Sequence, residues 1–276
     1  MVRISVIVPV FNPGRYIDEL IQAVLAQSLP TSEYEVIFVD DGSTDGTAER
    51  LDQLEKGHAN VKVRHQPNSG RPGRPRNVGT DLARGEYVFY ADNDDWLARD
   101  ALERLVRRAD RDQADVVVGK VVGHGRTVPL QLFAASGREL SLAWAPLLQL
   151  LTPHKLFRRS FLNANGIRFP EGRRGLEDHA FVMQAYLATQ RISVLADRPC
   201  YHWALRSADA NASAAPFDPE HYFAGVRDVL DIVDAGADSE SDRHRLLAHW
   251  YRSKVLGQLH GRTVARRDPD HNAHVF

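Results

Sequence analysis

Tyr87-Val88-Phe89-Tyr90-Ala91-Asp92-Asn93-Asp94-Asp95-Trp96 is the stretch that decides how this chain folds. Its apolar opening, Tyr87 to Ala91, reads as a strand buried on both faces. Three carboxylates then arrive at the strand's end. Crowded carboxylates repel one another and are costly to desolvate. A hard divalent cation held by oxygen ligands resolves that conflict. Asp92 and Asp94 point the same way on an extended chain, so both reach one ion. A solvated acidic turn capping the next helix fits the same residues, and Asp-Asn-Asp alone does not choose between the two.

Upstream, the pattern repeats. Ile4-Ser5-Val6-Ile7-Val8-Pro9-Val10 and Glu35-Val36-Ile37-Phe38-Val39 are further buried strands, closed by Phe11-Asn12-Pro13-Gly14 and Asp40-Asp41-Gly42-Ser43. Apolar residues at helical spacing fill 16–27, and a second helix, capped by Thr44 or Asp45, runs to about Glu55. A short strand at 61–64, a Pro/Gly/Arg loop over 66–77 and a helix near 77–83 lead into the strand at 86–91. This alternation predicts a parallel sheet with right-handed crossovers. Ligands of such sheets sit outside the carboxyl ends of the strands, where the loops after Pro9, Asp40 and Ala91 converge. Beyond Trp96 we expect a helix at 99–112, strands at 115–119, 154–158, 192–195 and 199–203, a helix near 141–150 and another at 177–189. From Phe217 the chain turns helical, at 219–234 and 240–262. The expected division is therefore 1–216 and 217–276.

The chain has 276 residues, 43% hydrophobic and 26% charged, with a formal net charge of −1. No global field draws it to nucleic acid or to a membrane. The single cysteine, Cys200, excludes an internal disulfide and suits a reducing cytoplasm. No signal peptide is read after Arg3, and no apolar run reaches the roughly 20 residues that span a bilayer.

Three other stretches carry chemistry. Asp40-Asp41 at the end of the second strand suits hydrogen bonds from a nucleotide, or simply a solvated turn. Asn68-Ser69-Gly70-Arg71-Pro72-Gly73-Arg74-Pro75-Arg76-Asn77 suits a diphosphate, because glycine admits the ligand and arginine forks onto phosphate. The bland alternative is a solvent-facing linker. Nucleic acid is disfavoured, since no aromatic residues interleave to stack bases. Glu177-Asp178 opens a helix: two dipole-favoured acids, or a general base whose pKa the helix N-terminus keeps low, so that it stays ionised at neutral pH.

The combination resembles the inverting family 2 glycosyltransferases, of GT-A fold, over residues 1–215. The matching pieces are Ser5 to Asn12, Val39 to Asp45, Asn77-Val78-Gly79, Asp92 to Asp95 and Glu177-Asp178. Asn68 to Asn77, Leu151 to Arg158 and Arg191 to Leu195 look like the enzymes that attach N-acetylglucosamine to the polyribitol phosphate of wall teichoic acid. The resemblance implies a UDP-sugar donor, an anionic polyol phosphate acceptor, and a Mg2+ or Mn2+ cofactor. It also implies a cytoplasmic site of action, at the inner membrane face where a membrane-linked acceptor would be met. Pro9, Val10, Asp41, Asn68 and Arg76 would hold the uridine and its phosphates. Asp92 and Asp94 would meet the ribose and the metal, with Asp94 the direct ligand, and Asn93 would help bind the donor. Asp178 would be the base, supported by Glu177, and Arg206 and Ser213 would close over the diphosphate. One departure stands out: relatives often place a metal-binding histidine near position 210, where this chain has Ala208, Ala210 and Ala212, leaving His202 as a substitute. A sugar nucleotidyltransferase and a noncatalytic nucleotide- or polyanion-binding module remain the rival readings. Arginines cluster at Arg71-Arg74-Arg76, Arg158-Arg159, Arg173-Arg174 and Arg262-Arg266-Arg267, where a polyphosphate acceptor would bind.

Overall fold

The first strand, β1 (Ile4–Val10), is buried along its whole length, as an Ile/Val run broken only by Ser5 and Pro9 demands. The computed structural model describes residues 1–142, 145–172, 175–206 and 218–259. Helix α1 (Ile17–Leu25) turns Leu20, Ile21 and Val24 inward. β2 (Tyr34–Asp40), α2 (Thr47–Gly57), β3 (Val61–His65), α3 (Gly73–Leu82) and β4 (Tyr87–Tyr90) follow. β1 pairs in parallel with β2 and β4, and β2 with β3. The loops after β1, β2 and β4 therefore share one sheet edge, as expected.

The rest of the sheet departs from the parallel expectation. After β5 (Trp96–Leu97), α4 (Ala101–Asp112), β6 (Val116–Gly119), β7 (Val121–His124) and β8 (Gly137–Leu140), the chain returns as β9 (Leu156–Arg158). β9 runs antiparallel between β4 and β6. The crossover from β4 to β6 leaves a one-strand gap, and Leu156 and Phe157, both buried, fill it from the opposite direction. With β10 (Ile192–Leu195) the main sheet has eight strands in the order β3-β2-β1-β4-β9-β6-β10-β8. β11 (Tyr201–Ala204) joins β5 and β7 in a small second sheet that the sequence pattern did not announce.

Local boundaries also shift. α3 begins at Gly73, not near 77, because Pro75 falls in the first helical turn, where a missing N–H costs nothing. The N-cap of α2 is Gly46 in the left-handed region, with Asp45 Oδ1 accepting from Thr47 N–H. The expected helix near 141–150 is a 3-10 turn at Ala145–Gln149. The C-terminal portion forms α7 (Pro219–Gly236) and α8 (Glu240–Trp250), then a π turn and a 3-10 turn to Leu259. Among the described residues no helix is long and apolar enough to cross a membrane.

An aromatic knot joins the sheet to the helix that follows a short α5 (Arg159–Ala164), namely α6 (Glu177–Leu187). Phe169 and Phe181 stack with ring centroids 3.8 Å apart, and Phe157 and Tyr90 meet Phe181 edge-on at 5.2 and 5.4 Å. Phe157→Ala should remove about 3–5 kcal/mol, the usual cost of a large core cavity. The check is a fall in the urea midpoint with an unchanged m-value.

Candidate active site

The acidic turn after β4 is pinned from three sides. Tyr201, on β11, accepts from Asp92 N–H at 2.9 Å and donates its hydroxyl to Asp95 Oδ2 at 2.7 Å. Ala204 N–H donates to the other Asp95 oxygen at 2.8 Å, so both Asp95 oxygens already accept a hydrogen bond. Asp92 pairs with Arg76 through Oδ1 at 2.7 Å and with His154 Nε2 through Oδ2 at 2.9 Å. Asp94 pairs with Arg206 at 2.8 Å, Asn93 also bonds the Arg206 guanidinium, and Arg206 lies over the Tyr16 ring at 4.7 Å. The neighbouring cleft, about 430 Å³, is lined by Arg15, Tyr16, Asp94, Leu205 and Arg206 among others.

Asp178 enters from the first turn of α6 and bonds the second arm of Arg76. Arg76 is therefore a bridge between two carboxylates 86 positions apart in the chain (178 − 92). Its side chain is only 2% exposed, whereas Asp92 and Asp178 keep 31% and 28%. The carboxylates face the open side and the cation lies behind them. Burial raises the Asp178 carboxyl, Arg76 opposes this, and Glu177 and Asp92 add to it; the group is pushed up to about 6. This overturns the expectation of a low value: desolvation outweighs the helix N-terminus. Burial would raise Asp92 as well, but His154 and Arg76 prevail and hold it well below the usual carboxylate range. Asp95 is pushed up to about 8 by burial and then by the charges of Asp92 and Asp94. Burial and Asp92 raise Asp94, against Arg206. Behind the site, Lys155 is fully buried, and burial lowers its ammonium to about 7 against the pull of Asp178.

On the side expected to hold a nucleotide, Pro9 and Val10 close β1, and Val10 O accepts from Asp41 N–H at 2.8 Å. Asp41 is buried; its carboxylate accepts from Gln66 Nε2 at 2.6 Å and from Ser69 N–H and Oγ at 2.9 Å each. It thereby anchors the loop that carries Asn68. Gly42, at φ +81°, lets that loop approach: a Cβ there would lie 3.0 Å from Asn68 N. Thr44 N–H donates to Asn12 Oδ1 at 2.7 Å and Asn12 N–H to Ser43 Oγ at 3.0 Å, joining the first two loops. Glu177 sits beside Asp178 in the first turn of α6. Ser213, Arg173-Arg174 and Arg262-Arg266-Arg267 lie outside the described residues.

His154 and Tyr201 were not foreseen. Each is a lone polar ring in a short apolar strand-like run, and only the fold shows that both face Asp92. They stack with centroids 4.3 Å apart. His202, the histidine expected to compensate for the missing ligand, points the other way along β11 and instead stacks on Trp96 and bonds His124 at 3.0 Å. Asp92, Asp95 and His154 offer ligand atoms all within 4.8 Å of one another. The donor set and its surplus negative charge fit a divalent cation.

The sequence profile of glycosyl transferase family 2 matches residues 5–164. The chain belongs to that family. A second profile, the glycosyl transferase TarS linker domain, matches residues 219–276. The chain is 35% identical over 248 residues to the poly(ribitol-phosphate) beta-glucosyltransferase of Bacillus spizizenii, covering 89% of this chain and 39% of that one. It is 36% identical over 253 residues to the poly(ribitol-phosphate) beta-N-acetylglucosaminyltransferase TarS of Staphylococcus aureus, covering 91% and 44%. It thus spans about two fifths of the length of these curated relatives. The crystal structure of S. aureus TarS 1–349 in complex with UDP-GlcNAc superposes with a TM-score of 0.89 at 32% identity, over 98% of this chain and 77% of that one. The family 2 fold here is accordingly the GT-A type, with a mixed, mainly parallel sheet and C-terminal helices.

Arg76 is the one cation in direct contact with Asp178 among the described ion pairs. Its removal should favour the protonated acid. In Arg76→Met, the Asp178 carboxyl titration, followed by carbon-13 NMR against Asp178→Asn, should move to higher pH than in wild type; a midpoint that stays in place would refute the bridge's electrostatic role.

Proposed function

We propose that this family 2 glycosyltransferase moves a sugar, with inversion, from a UDP-sugar to a hydroxyl of a poly(ribitol-phosphate) acceptor. The observation that carries the reading is the juxtaposition of Asp178 with Asp92 across Arg76, at the carboxyl edge of the sheet. Asp178 is the base: open on one side, ionised above about pH 6, and seated on a helix rather than a loop. It takes the proton of the acceptor hydroxyl as that oxygen bonds to the anomeric carbon and the bond to the diphosphate breaks. The electron pair leaves with UDP, so an α-linked donor yields a β-linked product. Glu177 adds negative charge that keeps the Asp178 carboxyl basic.

Pro9, Val10, Asp41 and Asn68 bind the uridine end, with Asp41 acting largely by fixing the Asn68 loop. Arg76 serves the diphosphate side from behind, through the carboxylates it holds. Asp92 and Asn93 receive the ribose, and Arg206 and Ser213 cover the diphosphate. Asp94 and Asp92 would hold Mg2+ or Mn2+, with His154 and Asp95 at hand, and such an ion supplies Lewis-acid neutralisation of the leaving phosphates when bound. Residues 1–216 are the catalytic unit and 217–276 the helical extension. The donor is N-acetylglucosamine or glucose; the two relatives above differ in this, and we favour N-acetylglucosamine from the UDP-GlcNAc-bound structural relative. The site of action is the cytoplasmic face of the membrane, reached by peripheral contact with a membrane-linked acceptor.

The decisive assay is release of UDP from UDP-GlcNAc and from UDP-glucose, with and without poly(ribitol phosphate). Acceptor-dependent UDP release supports the proposal. Pyrophosphate release from a sugar phosphate and UTP would mark a nucleotidyltransferase, and binding without turnover a noncatalytic module. Asp178→Asn should lower kcat by about 10²–10⁴, the usual weight of a general base, with the donor Kd near wild type by calorimetry.

Charge gives a separate test of the acceptor. Arg71 and Arg74 reach solvent beside the site, whereas Arg158 is committed to Glu86 and Tyr87. A polyphosphate that meets several surface arginines binds with steep salt dependence, because exposed charges are screened beyond about 8 Å in physiological salt. Raising salt should increase the acceptor KM much more than the donor KM; equal sensitivity of the two would argue for a neutral acceptor.

A further inference from the structure

The turn that delivers Asp178 does not stand by itself. Leu176, the residue before α6, has φ +61° and ψ 26°, a left-handed conformation that branched side chains seldom adopt. Such a conformation persists only where the surroundings enforce it. On one side Leu176 packs against the core. On the other side the enforcement comes from the C-terminal helices. Gly175 N–H donates to His221 O at 3.1 Å, in the first turn of α7. One turn further along α7, Gly225 is buried, and a Cβ there would lie 1.9 Å from Gly175 O. A Cβ on Gly175 would come 3.3 Å from Tyr222 Cα. Two glycines thus let two backbones touch at the base of the catalytic turn.

A second contact acts on the helical side of Asp178. Trp250, fully buried at the end of α8, meets the His179 ring at 5.8 Å, edge to face. Tyr222 ties α7 to the π turn after α8 by donating its hydroxyl to Lys254 O at 3.0 Å. Asp178 is therefore bracketed, with α7 under residue 175 and α8 against residue 179.

We propose that the C-terminal helices are a positioning element of the catalytic site, and that the Gly225–Gly175 backbone contact sets where the Asp178 carboxylate stands. Gly225 and Trp250 are positioning residues: they act through the turn and touch no substrate. The inference rests on the reading of Asp178 as base.

Gly225→Ala tests it. Alanine favours the helix over glycine by about 1 kcal/mol, so α7 itself is not weakened, yet the methyl must displace the turn. A misplacement near 1 Å costs on the order of 10²-fold in rate; kcat should fall by about 10–100-fold while the donor Kd from calorimetry stays within about twofold. Adding Leu176→Gly should recover part of the loss, since glycine lets the displaced turn relax. Val233→Ala, in the same helix but away from the turn, should lower the melting temperature and leave kcat unchanged. Trp250→Phe is the milder, independent variant and should lower kcat with donor affinity intact, so the test survives if Gly225→Ala does not fold. Wild-type kcat in either folded variant overturns the proposal, as does a loss that Val233→Ala reproduces or that donor affinity matches. Absence of UDP release by the wild type with every donor and acceptor tried would instead overturn the functional reading beneath it.

Discussion

A buried guanidinium between two carboxylates is the constraint on which the site depends. Arg76 has almost no access to water, and both of its anionic partners are needed to keep its charge tolerable there. Breaking such an arrangement by removing one partner typically costs about 3–5 kcal/mol. The architecture can be read as the means of meeting that demand. α3 brings Arg76 to the carboxyl edge, β4 brings Asp92, and α6 brings Asp178. Phe169 lies against the guanidinium at 5.1 Å and excludes water from its rear. Asn77, next in the chain, bonds Phe169 O and N–H, both at 2.9 Å, and so fixes that wall.

This clarifies why three similar carboxylates in one short turn have different chemistry. Asp95 has both oxygens occupied by Tyr201 and Ala204 and carries no strong cation. Asp92 is flanked by Arg76 and His154. Asp94 has Arg206, which comes from the end of β11 and can be exchanged for another cation. On the proposed function, Arg206 would pass from the Asp94 carboxylate to a donor phosphate, because arginine binds both with the same planar fork. The three carboxylates are thus set apart by partners far away in sequence.

That distance explains what the sequence could and could not reveal. β1, β2 and β4 were legible because strands covered on both faces need continuous apolar runs, and the loops after them had to share an edge once the crossovers were parallel. Asp178 was legible as an acid at a helix start, and its motif order pointed to a glycosyltransferase. Its elevated carboxyl was not, because the burial and the nearby Asp92 charge that raise it exist only in the folded chain. The reversal of β9 was equally invisible: Leu156-Phe157-Arg158 is apolar enough for a central strand, but three residues do not encode direction. His154 and Tyr201 carry no local signal at all. Their role arises where β9 and the small sheet flank the acidic turn.

The C-terminal helices extend the same logic beyond the sheet. On the proposed role of Asp178 as base, a carboxylate both desolvated and aimed would not be held by a solvent-exposed turn, since exposed backbone relaxes. Burying the turn requires an element on its outer side, and the sheet has already used its faces for α1, α3 and α4. Glycine at positions 175 and 225 permits the closest approach that two chains can make. Leu176 in a left-handed conformation shows that the approach imposes shape as well as cover. A backbone-to-backbone contact between Gly175 and Gly225 leaves little room for the turn before Asp178 to move independently of α7.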